Sequence, residues 1–254
     1  MNQNPPVAFL TGATSRIGSA VALELAAQGW QLVLHTHMQV DEAENLSAAV
    51  SRAGGIASVL RADLTQSEDL SSLLSKASKP FGTPNILINN ASIFEDDGIG
   101  SLSSDLFDDH FAIHVKAPLF LCDQLAALQH QGEDALVVNM IDQRVWKTTP
   151  QAVTYSLSKH ALWAQTQMLA QALAPKIRVN AIGPGPSFKN ERQTEAEFAK
   201  QSAATLLGHG PEPEEFGRTI RYLWDAKSVT GQMIALDGGQ HLNWQTPDVI
   251  DVGE

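Results

Sequence analysis

The chain has 254 residues, which fits one α/β domain with a full-sized core. Its formal net charge of −11 and its pI near 5.1 argue against nucleic acid or an anionic membrane as a partner. The single cysteine, Cys122, excludes an intramolecular disulfide framework and fits a reducing compartment. No uninterrupted apolar run reaches about 18 residues and the first residues lack a signal-peptide layout, so we expect a soluble, cytoplasmic protein.

Short apolar runs alternate along the chain with longer segments of helical periodicity. Most of these runs are nearly continuous in apolar residues, which is typical of strands covered on both faces. The predicted strands are Val7–Thr11, Gln31–His37, Ile56–Ala62, Asn85–Asn89, Ala135–Ile141, Lys176–Ala181 and Gln232–Leu236. The predicted helices are 16–28, 41–53, 67–77, 103–130, 151–174 and 191–207. Strict alternation of the two predicts a parallel sheet with helices on both faces.

No internal repeat or low-complexity linker divides the chain, so we expect one domain over residues 1–254. The stretch 183–215 interrupts the alternation with Gly, Pro and charged residues. A long insert after the carboxyl end of a strand is typical of a substrate lid, and a structural surface excursion is the alternative. The tail 244–254 either packs on a neighbouring subunit or frays.

The first predicted strand runs into a glycine turn, Thr11-Gly12-Ala13-Thr14-Ser15-Arg16-Ile17-Gly18. A strand, a tight turn and a helix start direct backbone N–H groups and the positive helix end at a pyrophosphate. Gly12 permits the turn and Gly18 lets the helix lie close to the strand, while Arg16 stands where a third glycine is common. We therefore predict dinucleotide binding by Gly12, Ser15, Arg16, Ile17 and Gly18.

The end of the second predicted strand bears on which dinucleotide binds. It reads His35-Thr36-His37, and the first acidic residue, Asp41, comes later. An acid at the strand end would bind the ribose 2′-hydroxyl and repel a 2′-phosphate, so its absence favours NADPH. Ser15, Arg16, His35 and His37 are available to that phosphate. The two histidines would also suit a metal ion, but no third ligand is evident, so no metal is predicted.

Tyr155 and Lys159 lie four residues apart on a predicted helix, so their side chains share a face. An ammonium group beside a phenol lowers the phenol pKa from about 10 toward the working range of a general acid. Asp142, upstream of this pair, cannot donate a hydrogen bond as a carboxylate and would oppose the anion formed on a ketone oxygen. Reduction of a ring C=N bond instead needs a proton at nitrogen, which Asp142 and Tyr155 would deliver together. A capping role for Asp142 after the strand is the alternative.

Several motifs, in this order, resemble those of the short-chain dehydrogenase/reductase family. They are the glycine turn, Asp63-Leu64, Asn89-Asn90-Ala91-Ser92, Tyr155-x-x-x-Lys159, Val179-Asn180-Ala181-Ile182-Gly183-Pro184-Gly185, and Thr230-Gly231-Gln232 through Asp237-Gly238-Gly239. The resemblance implies a doubly wound, seven-stranded Rossmann-type domain, a nicotinamide cofactor and a homotetramer. It implies adenine contacts near Asp63 and Leu64, further cofactor contacts at Thr36, Asn90, Ala91 and Ser92, nicotinamide contacts near Pro184 and Gly185, and a nicotinamide ribose held by Tyr155 and Lys159.

A narrower resemblance is to the pteridine reductases, and it rests on Arg16, His35-Thr36-His37, Phe94 and Asp142. It implies that Phe94 stacks on one face of a pterin, that Arg16 contacts both cofactor phosphate and substrate, and that Ser92 lines the pocket. We therefore expect an NADPH-dependent reductase of dihydropterin or folate-like substrates, with Asp142, Tyr155 and Lys159 as its catalytic residues. A carbonyl or 3-oxoacyl reductase and a catalytically silent NADPH-binding protein are the alternatives.

Three further positions leave their roles open. His114 stands where the family usually has a backbone-bracing asparagine, and it either replaces that brace or signals reduced activity. Trp146 either meets the substrate or packs internally. The run Glu95-Asp96-Asp97 is expected to be a solvated loop, with a substrate clamp as the alternative.

Overall fold

The computed structural model of the chain describes residues 5–129, 134–189 and 193–245. Within these residues the strands are β1 Val7–Leu10, β2 Gln31–Thr36, β3 Ile56–Arg61, β4 Ile86–Asn89, β5 Ala135–Met140, β6 Ile177–Pro184 and β7 Met233–Leu236. All pair in parallel in one sheet of order β3-β2-β1-β4-β5-β6-β7. Every predicted strand is confirmed, and the largest difference is that β6 continues to Pro184.

The helices are α1 Arg16–Ala26, α2 Val40–Arg52, α3 Ser67–Leu70, α4 Leu73–Ala77, α5 Ser104–Phe111, α6 Ala117–Leu128, α7 Val153–Leu173, α8 Glu195–Ala203 and α9 Pro213–Asp225. A π-helical segment, Ala112–Lys116, joins α5 to α6, and Gln143–Val145 and Gln240–Leu242 form 3₁₀ turns.

Some helix predictions need correction. The helix predicted over 67–77 is two short helices, and that over 103–130 is divided by the π-helical segment. Residues 130, 191, 192 and 246–254, on which parts of the predicted helices and tail fall, lie outside the described residues. Helix α9 is absent from the prediction, although a capping box at Glu212 and apolar residues four and three apart, Phe216, Ile220 and Leu223, mark it.

Alternate residues of each central strand face opposite layers of core, as expected for strands covered on both sides. In β1, Ala8 and Leu10 face a cluster formed with α1, α2 and α9, and Phe9 faces one formed with α4, α6 and α7. Cys122 is fully buried in the second cluster, and burial raises its pKa to about 12, so it is a packing residue.

The order of the sheet fixes the place of the site. The chain winds outward in one direction through β1, β2 and β3 and in the other through β4 to β7, so β1 and β4 are neighbours at the switch point. In open α/β sheets a crevice opens there at the carboxyl ends of the strands. Helix α7 and the π-helical segment flank that end of the sheet.

Among the described residues, one helical stretch, Ser104–Leu128, is long and apolar enough to cross a bilayer. Core helices pass the same test, and Ala117, Leu121 and Leu125 of this stretch pack in the core. That the chain meets no membrane stays a prediction.

Gly18 is the position where α1 comes closest to the glycine turn. A Cβ there would lie 2.5 Å from the Gly12 carbonyl oxygen and 2.8 Å from that of Ala13. We expect Gly18→Ala to lower the free energy of unfolding by about 1–3 kcal/mol, the usual cost of overpacking. Urea denaturation measures this, with Gly98→Ala as the matched control, since nothing lies within 4 Å of a Cβ at Gly98. Equal midpoints for the two variants would contradict the close approach.

Candidate active site

A cleft of about 850 Å³ opens at the carboxyl ends of the strands. All the predicted site residues except Gly18 line it: Gly12, Ser15, Arg16, Ile17, His35, Thr36, His37, Asp63, Leu64, Asn90, Ala91, Ser92, Phe94, Asp142, Tyr155, Lys159, Pro184 and Gly185. Gly18 lies beneath the cleft, where it allows the close packing of α1.

The glycine turn has the form that a pyrophosphate needs. Gly12 has a φ of +62°, and a Cβ on it would lie 2.8 Å from the Cα of Ala91, so only glycine fits. The Ser15 hydroxyl caps α1 by accepting from the Gly18 N–H at 3.0 Å. The N–H groups of Arg16 and Ile17, in the first turn, have no intrahelical acceptor and are available to an anion.

His35 does not have the role predicted for it. Its Nδ1 accepts from the Gly12 N–H at 3.2 Å, so Nε2 carries the proton and donates to the Ala62 carbonyl at 3.1 Å. Burial lowers its pKa to about 4, so the ring is neutral near pH 7. Because both nitrogens are engaged, His35 is not free for a ribose phosphate and instead braces the glycine turn against β2.

The remaining cationic candidates at this end of the cleft are exposed. Arg16 lies with its guanidinium carbon 5.8 Å from the Phe188 ring centroid. His37 is more than half exposed, with Nε2 3.5 Å from a carboxylate oxygen of Asp63. Among the described residues no three His, Cys, Asp or Glu side chains are grouped to hold a metal ion.

At the other end of the cleft, a hydrogen bond joins the side chains of Asp142 and Tyr155. The Tyr155 hydroxyl donates to Oδ2 of Asp142 at 3.0 Å, and Oδ1 accepts from the Arg144 N–H at 2.8 Å. Asp142 thereby also caps the 3₁₀ turn Gln143–Val145. From the sequence, capping and a role beside Tyr155 were alternatives for Asp142. In the structure, one carboxylate oxygen caps the turn and the other accepts from Tyr155.

The pKa of Tyr155 moves opposite to the sequence expectation. Burial first, then the charge of Asp142 and the hydrogen bond to it, raises this pKa well above the ordinary value, while Arg144 opposes the shift. Lys159 lies with Nζ 5.6 Å from the Tyr155 ring centroid and donates to the Met140 carbonyl at 3.0 Å. Burial lowers the pKa of Lys159 to about 8, against the opposing charge of Asp142. Tyr155 is therefore a neutral phenol near pH 7.

The aromatic side chain of Phe94 lies beside Asp142 and Tyr155 in the cleft. Phe94 is 41% exposed, and its ring lies edge-on to that of Tyr155 with centroids 4.8 Å apart. Arg144, which the sequence reasoning missed, lines the cleft with its guanidinium carbon 5.7 Å from the Phe94 centroid. Its Nη1 is buried without a hydrogen-bond partner. The sequence feature that could have indicated Arg144 is its position two residues after Asp142.

His114 lies in the π-helical segment, behind Tyr155. Its Nε2 accepts from the Ile93 N–H at 3.3 Å and lies 2.8 Å from the Ser92 hydroxyl, so Nδ1 carries the proton and donates to Ser158 at 2.8 Å. Ser158 in turn donates to the Tyr155 carbonyl at 2.7 Å. Burial first, then Lys159 and His110, lowers the pKa of His114 well below its usual value, so the ring is neutral. His114 is therefore linked to the Tyr155 backbone carbonyl indirectly, through the Ser158 hydroxyl.

Two other positions have surroundings that the structure describes. Trp146 is not among the residues that line the cleft; it is 45% exposed, and its ring centroid lies 6.4 Å from that of Trp163 and 5.0 Å from that of His241. Glu95 and Asp96 are exposed, as predicted, but Asp97 is 8% exposed and accepts hydrogen bonds from Thr154. Treating Asp97 as part of a solvated loop was wrong.

Comparison with known proteins identifies the family. A family model described as enoyl-(acyl carrier protein) reductase matches residues 12–241, which is most of the chain. The chain belongs to the short-chain dehydrogenase/reductase family. It is accordingly an NAD(P)H-dependent oxidoreductase, with the fold predicted from the sequence.

Within this family the chain is similar to reductases of two kinds. It is 47% identical to FolM alternative dihydrofolate reductase 1 from Brucella canis, solved in complex with NADP, at a TM-score of 0.93 over 96% of this chain and 97% of that chain. It is 28% identical to dihydromonapterin reductase from Klebsiella pneumoniae, over 94% of this chain and 98% of the relative. It is 29% identical to a putative ketoacyl reductase of granaticin polyketide synthase from Streptomyces violaceoruber, over 93% and 96%.

The chain has two tyrosines, so the ionisation of Tyr155 is directly measurable. In a Tyr222→Phe background, tyrosinate absorbance near 295 nm reports Tyr155 alone. We expect its midpoint to lie above that of Tyr222, which is 56% exposed, because burial and Asp142 both favour the phenol. Asp142→Asn should lower the midpoint by removing the charge. A midpoint at or below that of Tyr222 in the Tyr155→Phe variant would contradict the assignment.

Proposed function

We propose that this protein is an NADPH-dependent reductase that reduces a C=N bond of a dihydropterin or folate-like substrate. The observation that carries the proposal is the hydrogen bond from the Tyr155 hydroxyl to the Asp142 carboxylate, at the cleft end that holds Phe94. The similarity to the alternative dihydrofolate reductase and to dihydromonapterin reductase supports the same substrate class.

The proton chemistry follows from this pair. Reduction of C=N places a hydride on carbon and requires a proton on nitrogen. Tyr155, a phenol whose pKa is raised, holds that proton at neutral pH and donates it from its hydroxyl oxygen. Asp142, whose two carboxylate oxygens both accept hydrogen bonds, stabilises positive charge on the ring nitrogen as the proton arrives. The same carboxylate would repel the oxyanion that a ketone develops.

The cofactor site is assigned to the other end of the cleft. A bound NADPH would supply the hydride. The turn at Gly12 and the N–H groups at the start of α1 fit its pyrophosphate, and Arg16, with His37, fits the 2′-phosphate. Asp63 and Leu64 are assigned to the adenine, Pro184 and Gly185 to the nicotinamide, and Lys159, beside Tyr155, to the ribose.

The substrate ring is assigned to the space beside Phe94. An exposed aromatic side chain in a cleft offers a face on which a flat heteroaromatic ring stacks. Ser92 and Arg16 line the same cleft and supply polar contacts, and Arg144 adds unpaired donors. We also propose that residues 183–215 close over this site, and that the protein is a cytoplasmic homotetramer.

A carbonyl or 3-oxoacyl reductase is the second candidate. The similarity to a putative ketoacyl reductase favours it, and Tyr155 with Lys159 suits ketone chemistry as well. The charge of Asp142 beside the Tyr155 hydroxyl argues against it.

Substrate class is tested by NADPH oxidation at saturating cofactor with dihydrobiopterin, dihydrofolate and a panel of ketones and 3-oxoacyl esters. We expect turnover of the pterin or folate substrate. Asp142→Ala and Tyr155→Phe should each lower kcat by about 100-fold or more, the usual contribution of a positioned proton donor. Tyr222→Phe is the matched control for the second variant and should keep full activity. Robust ketone turnover without pterin turnover, with ketone activity raised in Asp142→Ser, would favour the second candidate instead.

Cofactor choice is tested on the same assay with NADPH and NADH. Arg16→Met should raise KM for NADPH by about 10-fold or more, the loss expected for a charged hydrogen bond, and leave KM for NADH unchanged. Arg52→Met, a surface arginine at the end of α2, is the matched control. A wild-type preference for NADH would refute the assignment of the 2′-phosphate site.

A further inference from the structure

The amino end of α7, which carries Tyr155, has no cap of its own. Its N-cap residue, Ala152, has a φ of 49° and no side-chain hydrogen bond to the helix. The Thr154 N–H instead donates to both carboxylate oxygens of Asp97, at 3.1 and 3.3 Å. A carboxylate at this point satisfies an orphan donor and complements the positive end of the helix dipole. Asp97 therefore caps α7 from 57 residues away.

The same carboxylate organises a buried chain of hydrogen bonds. The Thr154 hydroxyl donates to Oδ2 of Asp97, so its oxygen is left to accept the Nδ1 proton of His110 at 2.7 Å. The His110 ring stacks on that of His114, with centroids 5.7 Å apart, and meets the edge of Tyr155 at 5.9 Å. Asp97, Thr154, His110 and His114 are all buried.

Tyr155 is thus held on both sides along α7. Thr154, before it, is tied to Asp97, and Ser158, after it, is tied through His114 to Ser92 and Ile93. Asp97, Ser92 and Ile93 belong to one loop between β4 and α5, and that loop also carries Phe94.

We propose that Asp97 is a positioning residue that, by capping α7 through Thr154, holds the Tyr155 hydroxyl at Asp142. This role is independent of the substrate, because it concerns the placement of Tyr155 in any reduction that the enzyme performs. It also links the loop that bears Phe94 to the helix that bears Tyr155.

A carboxylate suits position 97 better than an amide would. Asp97 accepts from two donors: the Thr154 N–H, shared between both carboxylate oxygens, and the Thr154 hydroxyl. An asparagine would turn an NH₂ group toward one of these donors. If the Thr154 hydroxyl rotated to accept from that NH₂, its own proton would lose the acceptor that Asp97 provides.

The test compares Asp97→Asn with Asp96→Asn, the same change at the exposed neighbouring residue. We expect Asp97→Asn to lower kcat by about 10- to 100-fold, since a misplacement of about 1 Å costs up to that much. NADPH affinity, measured by fluorescence titration, should stay unchanged. Asp96→Asn should change kcat by less than about 2-fold, as surface substitutions do. The assay uses dihydrobiopterin, or a 3-oxoacyl ester if the enzyme turns over only that, so failure of the pterin assignment is separable.

Two further variants guard against simple loss of fold. Thr154→Val keeps the backbone N–H but removes the hydroxyl and should lower kcat, whereas Thr154→Ser should retain activity close to wild type. Titration of Tyr155 in the Tyr222→Phe background needs no turnover. There Asp97→Asn should lower the Tyr155 midpoint, because the tyrosine moves away from Asp142.

Two results would overturn the proposal. One is a kcat for Asp97→Asn within about 2-fold of that for Asp96→Asn, with the Tyr155 midpoint unchanged. The other is a loss of NADPH affinity and thermal stability as large as the loss of kcat, which would assign Asp97 a general structural role.

Discussion

The hydrogen bond between the Tyr155 hydroxyl and the Asp142 carboxylate is the contact on which the chemistry of the cleft depends. A phenol and a carboxylate in hydrogen-bond contact divide the tasks of proton transfer, because one holds the proton and the other favours positive charge where it arrives. The position of Asp142 is itself fixed, since its second oxygen ends the segment after β5 by capping a 3₁₀ turn. The side chain of Asp142 therefore serves both the local fold and the chemistry of the site.

The two ends of the cleft use their buried histidines in the same way. His35 and His114 are both buried and neutral, and each accepts from a backbone N–H while donating from its other nitrogen. Neither is placed to exchange protons with a ligand near neutral pH. They act as links: His35, on β2, joins the glycine turn to Ala62 after β3, and His114 joins the loop after β4 to α7. The charged contacts are left to arginine, lysine and carboxylate groups of the cleft.

How far the sequence predicts this protein depends on the distance over which each feature is encoded. The strands are predictable because parallel strands covered on both faces are continuous apolar runs, and Tyr155 with Lys159 because helical spacing places them together. Asp97 is not, because its acidic neighbours resemble a solvated loop and its partner, Thr154, is distant in the chain. The role of His35 also escapes, since a strand-end histidine looks available until Gly12 and Ala62 are seen beside it. Helix α9 was missed because Pro213 and Gly217 resemble loop residues.

The π-helical segment between α5 and α6 has a consequence for how the chain tolerates insertion and deletion. Each residue of an α-helix turns the chain by about 100°, so one residue added or removed rotates everything that follows it. The wider turn at Ala112–Lys116 absorbs such a change in phase, which lets α6 face the core while His110 and His114 stay stacked toward α7. If the same residues formed a regular α-helix instead, α5 would be rotated relative to α6 and His110 would be withdrawn from Thr154. The segment therefore sets the rotational phase between a core helix and the supports of Tyr155.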